Sequence, residues 1–314
     1  MRTLSLLISV LSLTCSSSSR LPVARYLHGL NDSCPIKELE ALFPSSDFNY
    51  SCVVIPYTLF GNLDRQVKFV CDQFDKDPDL KGGFTLVGFS QGGLIARGVL
   101  QYCEVGKYVT NLLLYAAPNS GVSKLPWFSP RNPINWVVPY ACLLPFMDSI
   151  FAPCGYSTAK LPRFLRKIAD LFYAYRPTFL EKLNNEVEID EESRNRIKGL
   201  ENLMFFSYQE DTMVRPYCSP AFCLDSDEEN RPITLQNTRI YQLDLIGLKY
   251  LNERGRLFVC EKPGKHMLMY VNDIEKYMKP FIKVSGPQGS FWPYKTTEGL
   301  EEYCTYNSEV VGDI

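Results

Sequence analysis

Histidine is scarce: His28 and His266 are the only two in 314 residues. No paired Cys-x-x-Cys or Cys/His cluster accompanies them, so we expect neither a zinc site nor any other metal or cofactor. An excess of one charge is lacking too. The 33 Lys+Arg against 35 Asp+Glu leave a formal net charge of −2, with no basic surplus to neutralise a phosphate backbone, which argues against nucleic acid as a partner. Beyond the N-terminus there is no apolar run of the ~20 residues a bilayer span needs, so the mature chain is expected to be soluble. Disorder requires few aromatics and high net charge, whereas 13% of this chain is aromatic. Apolar residues make up 46%, enough to build one large globular domain or two small ones.

What is present begins with a leader. Arg2 precedes the apolar run Leu4–Leu13, which gives way to the small residues Cys15–Ser19. This charged start, short apolar middle and small-residue end predict a signal peptide over 1–19. Of 11 cysteines, losing Cys15 with the leader leaves an even number, consistent with oxidative folding in a secretory lumen. We expect Cys71–Cys103, Cys142–Cys154 and Cys218–Cys223, with Cys34–Cys52 and Cys260–Cys304 as further pairs, although sequence alone does not fix connectivity. Asn31 and Asn49 each begin an Asn-x-Ser glycosylation acceptor.

Short apolar, β-branched runs at Val23–Leu27, Cys52–Pro56, Phe84–Phe89, Leu112–Ala116, Leu203–Tyr208 and Leu257–Cys260 predict strands. Val67, Val70, Cys71 and Phe74 fall at helical spacing within a predicted helix over about 63–77, and a second helix is expected from Gln91 to Tyr102. Strands alternating with helices imply an α/β fold with a mainly parallel sheet covered on both faces. The alternation stops between about 119 and 200, where we expect an inserted cap. It carries Trp127, Phe128, Trp136 and Phe146, then a stripe of Leu161, Phe164, Leu165, Ile168, Leu171 and Phe172 that suits a helix packed on the core or one touching lipid. The main α/β domain is expected over 20–284, and an extension over 285–314, with a possible tether through Cys304.

Gly88-Phe89-Ser90-Gln91-Gly92 matches G-x-S-x-G where a strand gives way to a helix, the context of a nucleophile elbow. A serine needs a base within hydrogen-bond reach. In α/β-hydrolases the chain order is Ser, then Asp or Glu, then His, and only His266 follows Ser90. Asp211 is expected as the orienting acid, with Glu210 as the alternative. The two backbone donors for an oxyanion are assigned to Gln91 and to Leu30 in His28-Gly29-Leu30, with His28 in a structural role.

These residues resemble the palmitoyl-protein thioesterase family. The likeness rests on His28-Gly29-Leu30 with Asp32-Ser33-Cys34, on Gln66-Val67 through Lys76-Asp77-Pro78 and Gly88-Phe89-Ser90-Gln91-Gly92-Gly93, on Ile233-Thr234-Leu235-Gln236 with Leu245-Ile246-Gly247-Leu248-Lys249, and on Gly264-Lys265-His266. The resemblance implies an α/β-hydrolase fold with Ser90, Asp211 and His266 as the catalytic set and the Leu30 and Gln91 amides as oxyanion donors. It also matches Cys71 with Cys103 and Cys142 with Cys154 to the family's disulfides. Tyr173-Ala174-Tyr175-Arg176-Pro177 departs from a His-Asp-Pro-like segment of the family, and the tail after Val284 is longer.

The implied substrates are S-acylated proteins or fatty acyl thioesters, with transient contact to a membrane surface and a monomeric, lysosomal or secreted enzyme. A long acyl chain is expected to lie in a groove lined partly by Trp127, Phe128, Trp136 and Phe146. The same residues suit a lipase or carboxylesterase acting on oxygen esters, or an inactive acyl-lipid carrier. An imidazole paired with Asp211 holds a proton in acid, so turnover is expected to peak nearer neutral pH than below about pH 5.

Overall fold

Six segments pair side by side as strands: β1 (Val23–Leu27), β2 (Asn49–Val53), β3 (Phe84–Phe89), β4 (Val109–Tyr115), β5 (Asn202–Tyr208) and β6 (Leu257–Lys262). The computed structural model describes residues 20–123, 142, 146–158, 177–224, 233–283 and 310–313. The expected leader, the aromatics Trp127, Phe128 and Trp136, and the apolar stripe from Leu161 to Phe172 lie outside those residues. The strand order is β2-β1-β3-β4-β5-β6 and every pairing is parallel. The class is α/β, as the alternation of strands and helices implies.

β1 and β3 are buried along their whole length, as both faces of a covered parallel sheet must be. The period of two sends Phe84 and Leu86 into one apolar layer and Val87 and Phe89 into the other. The first layer is closed by α2 (Leu63–Phe74), through Val67, Val70 and Phe74, and by α3 (Gln91–Tyr102), through Leu94, Ile95 and Val99. Asn62 caps α2 by accepting from the Arg65 N–H at 3.2 Å. The opposite layer is closed by α1 (Lys37–Glu40), through Leu39, and by the helical segment before Val284. That segment is α-helical over Val271–Asp273, π over Ile274–Met278 and α again over Lys279–Lys283. Between β4 and β5 the described chain runs through turns at Met147–Ser149 and Ala152–Gly155, then α4 (Phe179–Leu183) and α5 (Glu191–Lys198). α5 docks on α3, where Gln101 Nε2–H donates to Ser193 Oγ at 3.1 Å.

Several boundaries differ from the sequence expectation, each for a local reason. The second strand occupies 49–53 instead of 52–56: Asn49, Tyr50 and Ser51 pair with β1, while the Ile55 N–H is diverted to His28 Nε2 and Pro56 has no N–H to offer. The helix expected over 63–77 stops at Phe74, because the Asp77 side chain caps the following turn, which begins at Pro78. β4 starts at Val109, before the apolar run, and β6 extends to Lys262, whose charge is buried against Asp273.

Cys34–Cys52, Cys71–Cys103, Cys142–Cys154 and Cys218–Cys223 are bonded. Cys260 is disulfide-bonded as well, and Cys304 lies outside the described residues. Near the C-terminus, β8 (Val310–Asp313) pairs antiparallel with β7 (Leu268–Tyr270), the strand directly after His266. Among the described residues no helix is long and apolar enough to cross a membrane.

Phe206 is fully buried and stacks on Tyr115 with ring centroids 4.3 Å apart. Phe206→Ala removes that ring from the centre of one layer and is expected to lower the unfolding free energy by about 3–5 kcal/mol. Denaturant melts of the two proteins check this, and a loss under about 1 kcal/mol would show that the layer collapses freely around the gap.

Candidate active site

Parallel strands put all their carboxyl ends on one edge of the sheet, and four of those ends carry the residues singled out from the sequence. β1 runs into His28–Leu30, β3 into Ser90, β5 into Gln209–Asp211 and β6 into the loop holding His266. Ser90 has φ +50° and ψ −124°, a region that side-chain-bearing residues rarely adopt, so the turn is strained. Tight packing holds it there. A Cβ on Gly88 would meet the Gly93 Cα at 2.4 Å, and one on Gly92 would meet the His28 carbonyl oxygen at 2.3 Å. Both glycines are therefore required for strand, helix and β1 loop to touch. The Ser90 N–H donates to the Tyr115 carbonyl at 2.8 Å, tying the elbow to the neighbouring strand.

Ser90 Oγ lies 3.0 Å from His266 Nε2, and His266 Nδ1 lies 2.6 Å from Asp211 Oδ2. The carboxylate has no proton to give, so Nδ1 carries the hydrogen and Nε2 is left to accept from the serine hydroxyl. Asp211 is fully buried. Its other oxygen accepts from the Met213 and Val214 N–H groups at 2.7 and 2.9 Å, which fixes the direction in which Oδ2 points. Glu210, the alternative acid, has an exposed side chain and contributes only its N–H, donated to the Gly264 carbonyl at 3.0 Å. With the Gln209 N–H donating to the Lys262 carbonyl at 2.8 Å, that bond sews the loops bearing Asp211 and His266 together. Lys262 and Asp273, a buried ion pair spanning the His266 loop, close its base. Burial pushes the Lys262 ammonium down, and Asp273 opposes that shift.

The β1 loop reaches the same point. A Cβ on Gly29 would lie 3.3 Å from the Ser90 Cβ, so Leu30 follows directly beside the nucleophile position, and Gln91 starts α3 on its other side. This arrangement can deprotonate a hydroxyl during attack and surround the reacting carbon with backbone donors. Phe146 is not brought into this convergence. It stands 55% exposed on the turn before Met147, and the other three aromatics of the expected groove lie outside the described residues.

Residues 27–266 match the family model described as palmitoyl protein thioesterase. The chain belongs to that family. Membership and the parallel sheet place it among α/β-hydrolase enzymes. The Schizosaccharomyces pombe palmitoyl-protein thioesterase-dolichyl pyrophosphate phosphatase fusion 1 is 30% identical over 71% of this chain, which spans only 35% of that longer protein. Palmitoyl-protein thioesterase 1 of Caenorhabditis elegans is 28% identical over 88% of this chain and 99% of its own. The lysosomal thioesterase PPT2-B of Xenopus laevis is 25% identical over 86% of this chain and 96% of its own. The family match begins in β1 and ends at His266, so it takes in all four strand ends.

Sequence reasoning gave no role in the site to Thr58, Gln66 and Tyr156, which surround the Gln91 side chain. Gln66 stands in a stretch that resembles the family but carries no catalytic signal, and the three come from separate segments: the loop after β2, α2, and the stretch between β4 and β5. His28 was expected to be structural, and its contacts are of that kind. Nε2 accepts from the Ile55 N–H at 2.9 Å, and Nδ1–H donates to the Gly29 carbonyl at 3.0 Å. Burial pushes the imidazole below its ordinary 6.5 despite opposing effects of Gly29 and Asp32. Protonation would set a second donor against the Ile55 N–H.

A depressed histidine stays neutral in the folded chain while the unfolded chain takes up a proton. Its contribution is therefore intact above about pH 6.5 and is lost as pH falls from there toward the folded value. His28→Gln keeps an acceptor for Ile55 but cannot titrate. Its unfolding free energy is expected to fall less than that of the wild type between pH 7 and pH 5, the difference being at most ~1.4 kcal/mol per pH unit. Parallel pH curves for the two proteins would contradict this.

Proposed function

We propose that the protein hydrolyses long-chain fatty acyl thioesters on protein cysteines through an acyl-enzyme on Ser90. The observation that carries this reading is the hydrogen-bonded line from Ser90 Oγ through His266 to buried Asp211, in a chain of the palmitoyl protein thioesterase family. Ser90 Oγ attacks the thioester carbonyl carbon while its proton passes to His266 Nε2. Asp211 stabilises the resulting imidazolium and holds its orientation. The Leu30 and Gln91 amides donate to the oxyanion. Collapse breaks the C–S bond, the thiolate leaves and takes up a proton from His266, and the acyl group stays on Ser90. His266 then removes a proton from water as it attacks the acyl-serine, and the fatty acid is released with Ser90 protonated again. A thiolate, with an ordinary pKa of about 8.5, needs less help in leaving than an alkoxide does.

The disulfides support a route through an oxidising lumen, and the lysosomal name of the Xenopus relative supports a lysosomal or secreted destination. Transient contact with a lipid surface is supported by an exposed rim of Tyr57, Phe60, Phe146 and Ile150. Two segments are joined in that rim, since the Gly61 N–H donates to the Ile150 carbonyl at 2.9 Å and the Phe60 and Phe151 rings lie 6.1 Å apart.

Trapping, substrate comparison and a vesicle assay test the proposal. Mass spectrometry after trapping with a palmitoyl thioester is expected to find the acyl adduct on Ser90, and Ser90→Ala is expected to abolish turnover. The palmitoyl thioester should be cleaved faster than the matching oxygen ester; equal or inverted rates would favour a general esterase. Replacing Phe60 and Ile150 by Ser is expected to slow hydrolysis of an acyl thioester presented in phosphatidylcholine vesicles while sparing a short soluble one. An equal effect on both substrates would remove the lipid-contact role.

A further inference from the structure

Two backbone donors from separate loops act together only if their spacing is held, and one residue of a third loop is bonded to both. Gln91, the residue after the nucleophile, has a fully buried amide whose Nε2 donates to the Thr58 carbonyl at 2.7 Å and to Gln66 Oε1 at 3.2 Å. Its Oε1 accepts from the Tyr156 hydroxyl at 3.0 Å. Gln66 in turn donates to the Tyr57 carbonyl at 3.1 Å, so the loop between β2 and α2 is gripped at two consecutive carbonyls. The other end of Thr58 faces the β1 loop. Its Oγ1 accepts from the Asn31 N–H at 2.9 Å, one peptide beyond the Leu30 amide.

The backbone around this bridge is strained where it matters. Asn31 has φ +54° and Tyr57 φ +56°, conformations that side-chain-bearing residues adopt only when their surroundings impose them. Ser90 itself, between the two loops, has φ +50°. Thr58, Gln66, Gln91 and Tyr156 are all buried, so water does not compete for the bonds around the Gln91 amide, while the Asn31 bond sits at the exposed edge of the bridge.

We propose that Thr58 is a positioning residue that sets the separation of the Leu30 and Gln91 amides. Its carbonyl holds Gln91 and its hydroxyl holds Asn31. Tyr156, which lies in the stretch between β4 and β5, braces the same Gln91 amide from the opposite side. The inference rests on the acyl-transfer reading for its chemistry, because the two amides matter as a pair only when an oxyanion forms between them. Thr58 touches no reacting atom; it acts through the two backbones it joins.

Thr58→Val keeps the branched shape and the carbonyl but leaves the Asn31 N–H without an acceptor, whereas Thr58→Ser restores one. On a palmitoyl thioester, Thr58→Val is expected to lower kcat about 10- to 100-fold, with KM changed by less than about twofold and the pH profile unmoved. Thr58→Ser should recover most of that loss. The rate at which a fluorophosphonate labels Ser90 is measured alongside, because its phosphoryl oxygen occupies the same donors whatever the natural substrate. It is expected to fall in Thr58→Val by a factor similar to kcat. Should Thr58→Val fail to fold, Thr58→Ala read at the same two rates takes its place.

If wild type and Thr58→Val label at equal rates, or if Thr58→Ser is as impaired as Thr58→Val, the positioning role is overturned while thioester hydrolysis stands. If the wild type labels but does not cleave the thioester, and Thr58→Val slows labelling, the substrate reading fails and the role of Thr58 stands. A wild type that does not label at Ser90 overturns both.

Discussion

The 2.6 Å contact between His266 and Asp211 is the constraint on which the site depends. It joins two loops separated by 55 residues and buries a carboxylate completely, which is tolerable because both of its oxygens are hydrogen-bonded. One oxygen takes two backbone N–H groups and the other takes the imidazole. Rotating the carboxyl would leave buried donors unpaired, so the ring is held with Nε2 facing Ser90. The Gln209 to Lys262 and Glu210 to Gly264 backbone bonds keep the two loops from sliding apart.

The elbow presents the opposite energetic problem, local strain held in place by packing. A non-glycine residue at positive φ costs on the order of 1–3 kcal/mol, and Ser90, Asn31, Tyr57 and Met267 all adopt that region near the strand ends. The strain is offset by the layers above and below the sheet. α3 carries Leu94, Ile95 and Val99, all fully buried, and Gly88 and Gly93 allow strand and helix to approach at backbone distance. The same approach brings the first turn of α3 to the β1 loop, where a Cβ on Gly92 would meet the His28 carbonyl oxygen. Strain and close packing are thus two sides of one requirement, a hydroxyl lifted clear of the sheet beside the start of α3.

How far the sequence could be read differed with the range of the interaction. β3 and α3 begin and end where their residues suggest, because a continuous apolar run, a glycine-flanked serine and a helical apolar spacing are all short-range signals. β2 was displaced by three residues, since its polar start Asn49-Tyr50-Ser51 looks like a turn until β1 is alongside to pair with it. Lys262 ends β6 although charge argues against a buried strand, and only the folded chain supplies Asp273 to neutralise it. Glu210 and Asp211 could not be separated by chemistry, since they are adjacent carboxylates; the turn after β5 buries one and exposes the other.

Composition and spacing alone determined the class of fold, the identity of Ser90 and His266 as candidates, and the expectation of paired cysteines. Each rests on covalent neighbours or on elimination, as when only one histidine follows the serine. Folding decided which acid meets the imidazole, that the hydroxyl and the ring nitrogen lie 3.0 Å apart across 176 residues, and that Thr58 bridges two loops. The physical reason is that a hydrogen bond between distant segments needs both partners delivered within tenths of an ångström. That placement follows from how strands stack and helices pack around them, a property of the whole chain that no local pattern encodes.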